Sequence, residues 1–228
     1  MGRAAEERRA ELIKLYRELQ DCHDCPLAAT RTNVVFGSGN ADADLMFVGE
    51  APGFHEDQQG KPFVGAAGKL LDKLLAEIGL EREQDAFIAN VLMCRPPGNR
   101  DPEPEEIEEC KPYLMQKIRL IEPRVICTLG NFATKCITGR PEGITRAHGR
   151  PQERVIEGLP LVIFPLFHPA AGLRSGAVLT QLRDDFQKLP ELIATARPKA
   201  AAPPAPPAAG PPEPAMMAAE PPQLGLFG

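Results

Sequence analysis

Short apolar runs and helical repeats alternate along this chain. Leu45-Met46-Phe47-Val48, Ala86 to Leu92, Val125 to Leu129 and Leu161 to Phe167 are continuous apolar stretches of strand length, the pattern of strands buried on both faces. Between them the spacing changes. Glu6 to Leu19 carries Leu12, Ile13, Tyr16 and Leu19 at intervals that predict one apolar helix face, and Leu70, Leu71, Leu74, Leu75 and Ile78 repeat likewise. Pro102 and Pro104, with Glu103, Glu105 and Glu106, open a helix that carries Cys110, as proline and carboxylates do at a positive helix end. A short helix holds Cys136, and Leu179 to Leu189 reads as the last one. This alternation predicts an α/β fold of three layers, α/β/α, with a central, mostly parallel four-stranded sheet. Ligands of such sheets bind beyond the carboxyl ends of the strands. The four loops there begin at Glu50, Asn90, Gly130 and His168, so one pocket can collect residues from all of them.

Composition sets the limits of that domain. The chain has 228 residues, 43% of them hydrophobic, enough for one soluble domain with additions. From Arg197 to Pro222 the pattern stops: ten of the 25 prolines lie there among alanines. The expected organisation is a folded domain over 1–196, a disordered Pro/Ala-rich linker over 197–222, and a short apolar peptide over 223–228. No apolar run is long enough for a bilayer, and the N-terminus is a charged helix without a signal-peptide core, which predicts a cytoplasmic protein with no membrane partner. The net charge of -5 argues against non-specific nucleic-acid binding, although a local basic face still acts in an acidic protein.

The chemistry concentrates in Gly49 to Gly68, a predicted strand-to-helix loop with five glycines, two prolines, the carboxylates Glu50, Glu56 and Asp57, and Phe54 and Phe63. Glycine lets backbone approach a ligand closely while acidic and aromatic groups converge on it. The glycine spacing is not GxGxxG, which argues against a dinucleotide site. Cys22 and Cys25 form a CxxC pair, and Cys94 and Cys110 are separated by fifteen intervening residues. Four thiols in two pairs suit a tetrahedral zinc or an iron–sulfur cluster, and spacing does not choose between them. Cys127 and Cys136 read as buried apolar thiols.

Taken together, GEAPGFHED-x3-KPFVGAAG, NVLMCRPPGNRDP, FHPAAGLRS and the cysteines at 22, 25, 94 and 110 resemble the family 4, iron–sulfur type, of uracil-DNA glycosylases over roughly residues 10 to 190. The resemblance implies hydrolysis of the bond between uracil and deoxyribose in base excision repair, with a 4Fe-4S cluster as a structural element on Cys22, Cys25, Cys94 and Cys110. A flipped base needs a pocket that stacks its ring and reads its edge. By resemblance Phe63 stacks on uracil beside Gly49. Asn90 pairs with a uracil carbonyl and ring N–H, a pattern cytosine disrupts. His168 donates to the uracil oxygen that gains charge. Glu50, working with Asn99, orients water or stabilises the sugar, and Glu56 is a further catalytic or organising carboxylate ranked below it.

For DNA, Leu173 and Arg174 resemble a loop that fills the gap left by the flipped base, and Arg146, His148 and Arg150 offer phosphate contacts. The terminal Gln223, Leu224, Leu226 and Phe227 resemble the peptide with which bacterial repair proteins bind the sliding clamp, and a long tether would raise its local concentration at DNA. A monomer acting on single- or double-stranded uracil-DNA is expected. Two other readings are a uracil-DNA trap that acts through a histidine in an arginine-rich insertion and a metal-stapled module that only binds damaged DNA. The loop from Arg95 to Asp101 has neither a histidine nor an insertion, which favours turnover.

Overall fold

A computed structural model describes residues 3–196. The expected linker (197–222) and terminal peptide (223–228) lie outside the described residues. In chain order the strands are β1 (Ser38–Gly39), β2 (Leu45–Gly49), β3 (Ala86–Asn90), β4 (Val125–Leu129), β5 (Gln152–Ile156) and β6 (Leu159–Leu166). The helices are α1 (Arg3–Leu19), α2 (Phe54–Gln59), α3 (Ala66–Glu77), α4 (Arg82–Asp85), α5 (Pro104–Ile121), α6 (Asn131–Thr138), α7 (Ile144–Ala147), α8 (Pro169–Gly172), α9 (Gly176–Phe186) and α10 (Leu189–Thr195).

Among the described residues the sheet has six strands in the order β1-β3-β2-β4-β6-β5. The expected four-stranded sheet is its centre: β3, β2, β4 and β6 pair in parallel, and β1 and β5 add antiparallel edges. Both extra strands escape an apolar-run reading. β1 is two residues long, and β5 alternates half-buried with exposed positions because one of its faces meets water.

The central strands are buried on both faces, and the side-chain period of two divides them between two cores. Met46 and Val48 pack with Leu12, Leu114 and Ile118 from α1 and α5, whereas Leu45 and Phe47 pack with Leu71, Leu75, Leu182 and Phe186 from α3 and α9. On α1 the buried face is Leu12, Leu15 and Leu19, while the expected Ile13 and Tyr16 are 41% and 46% exposed. The last predicted helix is two: α9 starts earlier, with the Ser175 hydroxyl accepting from the Val178 N–H, and ends at Phe186 before α10. Cys127 is fully buried in β4, but Cys136 is only half-buried.

The stretch after β2 is not a plain loop, since it contains α2. The buried Asp57 accepts from the backbone N–H groups of Thr32 and Asn33, at 2.8 and 3.4 Å. Phe63 then takes a left-handed backbone, φ 53°, a strained conformation for an aromatic residue. Its surroundings fix it there. A Cβ on Gly68 of α3 would lie 1.8 Å from the Phe63 carbonyl oxygen, so only glycine lets the helix start this close. Arg82 of α4 binds the loop from behind, donating to the carbonyls of Pro62 and Phe63 at 3.1 and 2.9 Å while its Nε pairs with Asp72.

Candidate active site

The carboxyl ends of β2, β3 and β6 open into one cleft of about 580 Å³ lined by Glu50, Ala51, Pro52, Gly53, Glu56, Phe63, Ala67, Asn90, Pro96, Asn99, Arg100, Asp101, His168, Ala170, Ala171 and Arg174. Seven residues expected at the site, Glu50, Glu56, Phe63, Asn90, Asn99, His168 and Arg174, are brought together here. Gly49 lies beneath them as the register partner of Asn90.

Asn90 ends β3, is 3% exposed, and its Oδ1 is buried without a hydrogen-bond partner. An orphan acceptor in a low-dielectric wall costs about 1–3 kcal/mol unless a donor reaches it. The Phe63 ring lies beside it, and the Phe63 and His168 rings are stacked with centroids 5.6 Å apart. Both rings and the Asn90 amide thus line the same cleft.

His168 follows β6. Burial, helped by the positive Arg174 and opposed by Glu56, lowers its pKa from the usual 6.5 to about 4, so the ring is neutral at physiological pH. Its Nδ1 accepts from the Ala170 N–H at 3.1 Å. The one remaining proton therefore sits on Nε2, leaving that nitrogen a hydrogen-bond donor. Gly130, at φ 88°, passes directly behind: a Cβ there would come within 3.3 Å of the His168 Cβ.

The carboxylates divide. Glu56 Oε1 accepts from the backbone N–H groups of Val64 and Gly65, both at 2.9 Å, which fixes the segment after Phe63. That geometry makes Glu56 an organiser of the loop. Burial and the negative charge of Asp101 push the Glu50 carboxyl up. Asn99 has a left-handed backbone, φ 56°, and its Oδ1 accepts from Arg95 Nε at 2.7 Å. Arg100 is clamped by Glu106 through contacts of 3.0 and 2.5 Å, and Glu106 also accepts from the Glu103 N–H to cap α5. Sequence reasoning passed over Arg100 and Asp101, although they adjoin Asn99 in a loop it had marked as irregular.

Leu173 stands 53% exposed beside the cleft. Arg146 instead lines a separate hollow with Arg140, Glu142 and Thr145, and Arg150 lies on the approach to β5, so neither reaches the pocket. His148 is anchored, its Nδ1 2.8 Å from Asp185 and its ring 4.3 Å from that of Phe167.

Away from the cleft, Cys22, Cys25, Cys94 and Cys110 line a common hollow with Tyr113. No group of three or more His, Cys, Asp or Glu among the described residues is set to hold a single metal ion. A polynuclear cluster keeps its thiolates farther apart than one ion does, and the surroundings suit it. Arg31 donates to the Cys94 sulfur at 3.6 Å and the Met93 N–H to that of Cys110 at 3.3 Å. Burial pushes the Cys94 and Cys110 thiols up, to about 11 and 12, so thiolates here need a bound cation. The fully buried Lys117, donating to the Phe36 carbonyl at 2.7 Å, adds positive charge nearby.

A family model described as the Uracil DNA glycosylase superfamily matches residues 36–189. The chain is 46% identical over 191 residues to the type-4 uracil-DNA glycosylase of Sulfurisphaera tokodaii, covering 82% of this chain and 86% of that protein. It is 45% identical to the type-4 uracil-DNA glycosylase of Archaeoglobus fulgidus, covering 82% and 96%. It is 46% identical to that of Thermotoga maritima, covering 73% and 86%.

Proposed function

The chain belongs to the uracil-DNA glycosylase superfamily, in its type-4 family, and from that premise we propose how its cleft hydrolyses the N-glycosidic bond of uracil in DNA. The observation that carries the reading is the unpartnered, buried Oδ1 of Asn90 beside Phe63 and the neutral His168. A uracil turned out of the DNA slides against Phe63, and its ring N–H donates to Asn90 Oδ1. Cytosine has no proton at that nitrogen and would leave the acceptor unpaired, which costs far more than a missing apolar contact. As the bond between uracil N1 and C1′ breaks, the electron pair leaves with the base, and His168 Nε2–H donates to the uracil oxygen that gains charge. Glu50 faces the sugar with Asn99, orients the water that bonds to C1′ and offsets the positive charge there. The water gives up a proton as it bonds to C1′ and the uracil anion takes one up, so the products are neutral free uracil and an abasic site. Glu56 acts through Phe63, Val64 and Gly65, and Leu173 and Arg174 enter the DNA.

Cys22, Cys25, Cys94 and Cys110 would hold the 4Fe-4S cluster. When bound, it supplies a cross-link between the segment after α1, the loop after β3 and helix α5. The reading extends to Arg146 and Arg150 as remote phosphate contacts and to action as a monomer in the cytoplasm. No helix among the described residues is long and apolar enough to cross a membrane. It also assigns Gln223, Leu224, Leu226 and Phe227 to a groove of the sliding clamp, so removing 223–228 should end co-elution with the clamp.

Incubation with an oligonucleotide carrying one uracil, followed by alkali and gel analysis, tests the core of this reading. Scission at the uracil that is lost in His168→Ala and Asn90→Ala is the expected result. A stable shifted band without scission would indicate a covalent trap instead.

A further inference from the structure

Phe54 opens α2 with 52% of its surface exposed, on a chain whose Phe47, Phe63, Phe87, Phe164 and Phe186 are buried. A lone exposed apolar side chain is ordinary. This one carries a partner: the Arg95 guanidinium lies over its ring, 5.2 Å from the centroid. Arg95 is itself oriented, because its Nε donates to Asn99 Oδ1 at 2.7 Å. The His55 ring meets Phe54 edge-on at 5.5 Å. The neighbours along the chain, Gly53 before Phe54 and Pro96 after Arg95, both line the cleft, as does Asn99. An aromatic ring and a fixed cation therefore stand on the rim of the pocket, on a different loop from Leu173.

We infer that Phe54 and Arg95 form a stacking platform for the nucleobase next to the flipped uracil, with Arg95 also facing that nucleotide's phosphate. The inference rests on the glycosylase reading for its substrate and adds a subsite to it. An aromatic face stacks on any base, and a neighbouring arginine adds cation–π attraction and backbone charge, the combination that single-stranded nucleic acid favours. In an intact duplex the neighbouring base stays stacked on its own strand, so the platform favours single-stranded or frayed DNA.

The test uses single-stranded oligonucleotides with a non-cleavable abasic analogue and 2-aminopurine directly 5′ or 3′ to it. With the native chain, fluorescence should be quenched at one of the two positions. Phe54→Ala should lose that quenching and bind about tenfold more weakly, in the range of base–aromatic stacking. Phe54→Trp should retain both, and Arg95→Ala should weaken binding with a smaller salt dependence. Equal quenching and equal affinity in the native chain and Phe54→Ala would overturn the platform. The glycosylase reading fails separately, if the native chain binds these probes yet leaves a uracil oligonucleotide intact.

Discussion

Gly49 and Asn90 face each other at the ends of β2 and β3, and a Cβ on Gly49 would lie 2.4 Å from Asn90 Oδ1 and 2.8 Å from the Phe63 ring. The Asn90 amide and the Phe63 ring, proposed to read and to stack the base, are thus seated against bare backbone. Gly49→Ala should force both to move. Excision is expected to fall at least 100-fold at a stability cost of about 1–3 kcal/mol, typical of overpacking. Single-turnover kinetics and urea denaturation measure the two effects side by side, and a fully active alanine variant would mean that the pair tolerates displacement.

Asn90→Ala removes an acceptor that the folded chain leaves unpaired, so its cost should fall on function. Excision should drop by two to three orders of magnitude, while stability changes by less than about 1 kcal/mol, because relief of the orphan offsets lost packing. A large loss of melting temperature would show Oδ1 to be paired after all.

Glu56 offers a way to separate an organiser from an acid or base. A glutamine oxygen still accepts from Val64 and Gly65, whereas a charge-dependent role ends with the charge. Glu56→Gln should keep most of the activity, within about tenfold, and Glu56→Ala should lose much more as Phe63 comes loose. Equal, severe losses in both would make Glu56 a chemical participant.

The depressed pKa of His168 carries a pH dependence of defined sign. As pH falls through 6.5 the unfolded chain takes up the proton first, and the folded ring resists until about pH 4. The associated stability is whole above pH 6.5 and is lost as pH falls towards 4, on the order of 3 kcal/mol. Denaturation midpoints at pH 7 and pH 4 should converge between native chain and His168→Gln by that amount. Parallel decline would mean the imidazole is not held neutral. Arg174→Ala, by removing a repelling charge, should raise the His168 pKa and make that loss of stability smaller.

Iron chelation or Cys110→Ser should abolish the colour expected of a cluster and lower the melting temperature. Protection of amides in α1 and α5 should fall before that of β2 and β4, which lie in the buried centre of the sheet. A colourless native chain with an unchanged melt would remove the cluster from the account.

What the sequence discloses follows from where each residue's surroundings come from. β2, β3, β4 and β6 were legible because burial on both faces writes an unbroken apolar run. β1 and β5, at the edges, leave no such run, and α2 has only one buried residue, Asp57, whose partners Thr32 and Asn33 are distant in sequence. At the site, Asn90 could be read because an amide inside an apolar strand is costly there, whereas Phe63 and His168 stood out only through the motifs they share with the family. The Arg82 clamp, the Phe54–Arg95 pair and the division of labour between Glu50 and Glu56 depend on loops meeting in space. Ile13 and Tyr16 show the limit of helical spacing, which finds an apolar stripe but not how far the neighbouring layer covers it.

The left-handed Phe63, locked by Gly68 in front and Arg82 behind, means that this wall of the cleft is set before any DNA arrives. A mould set during folding asks no closing motion of its guest, so the detached base should fit it nearly as well as the attached one. Free uracil then becomes a competitor of its own release, and turnover in a confined pool of product should slow as the mould refills.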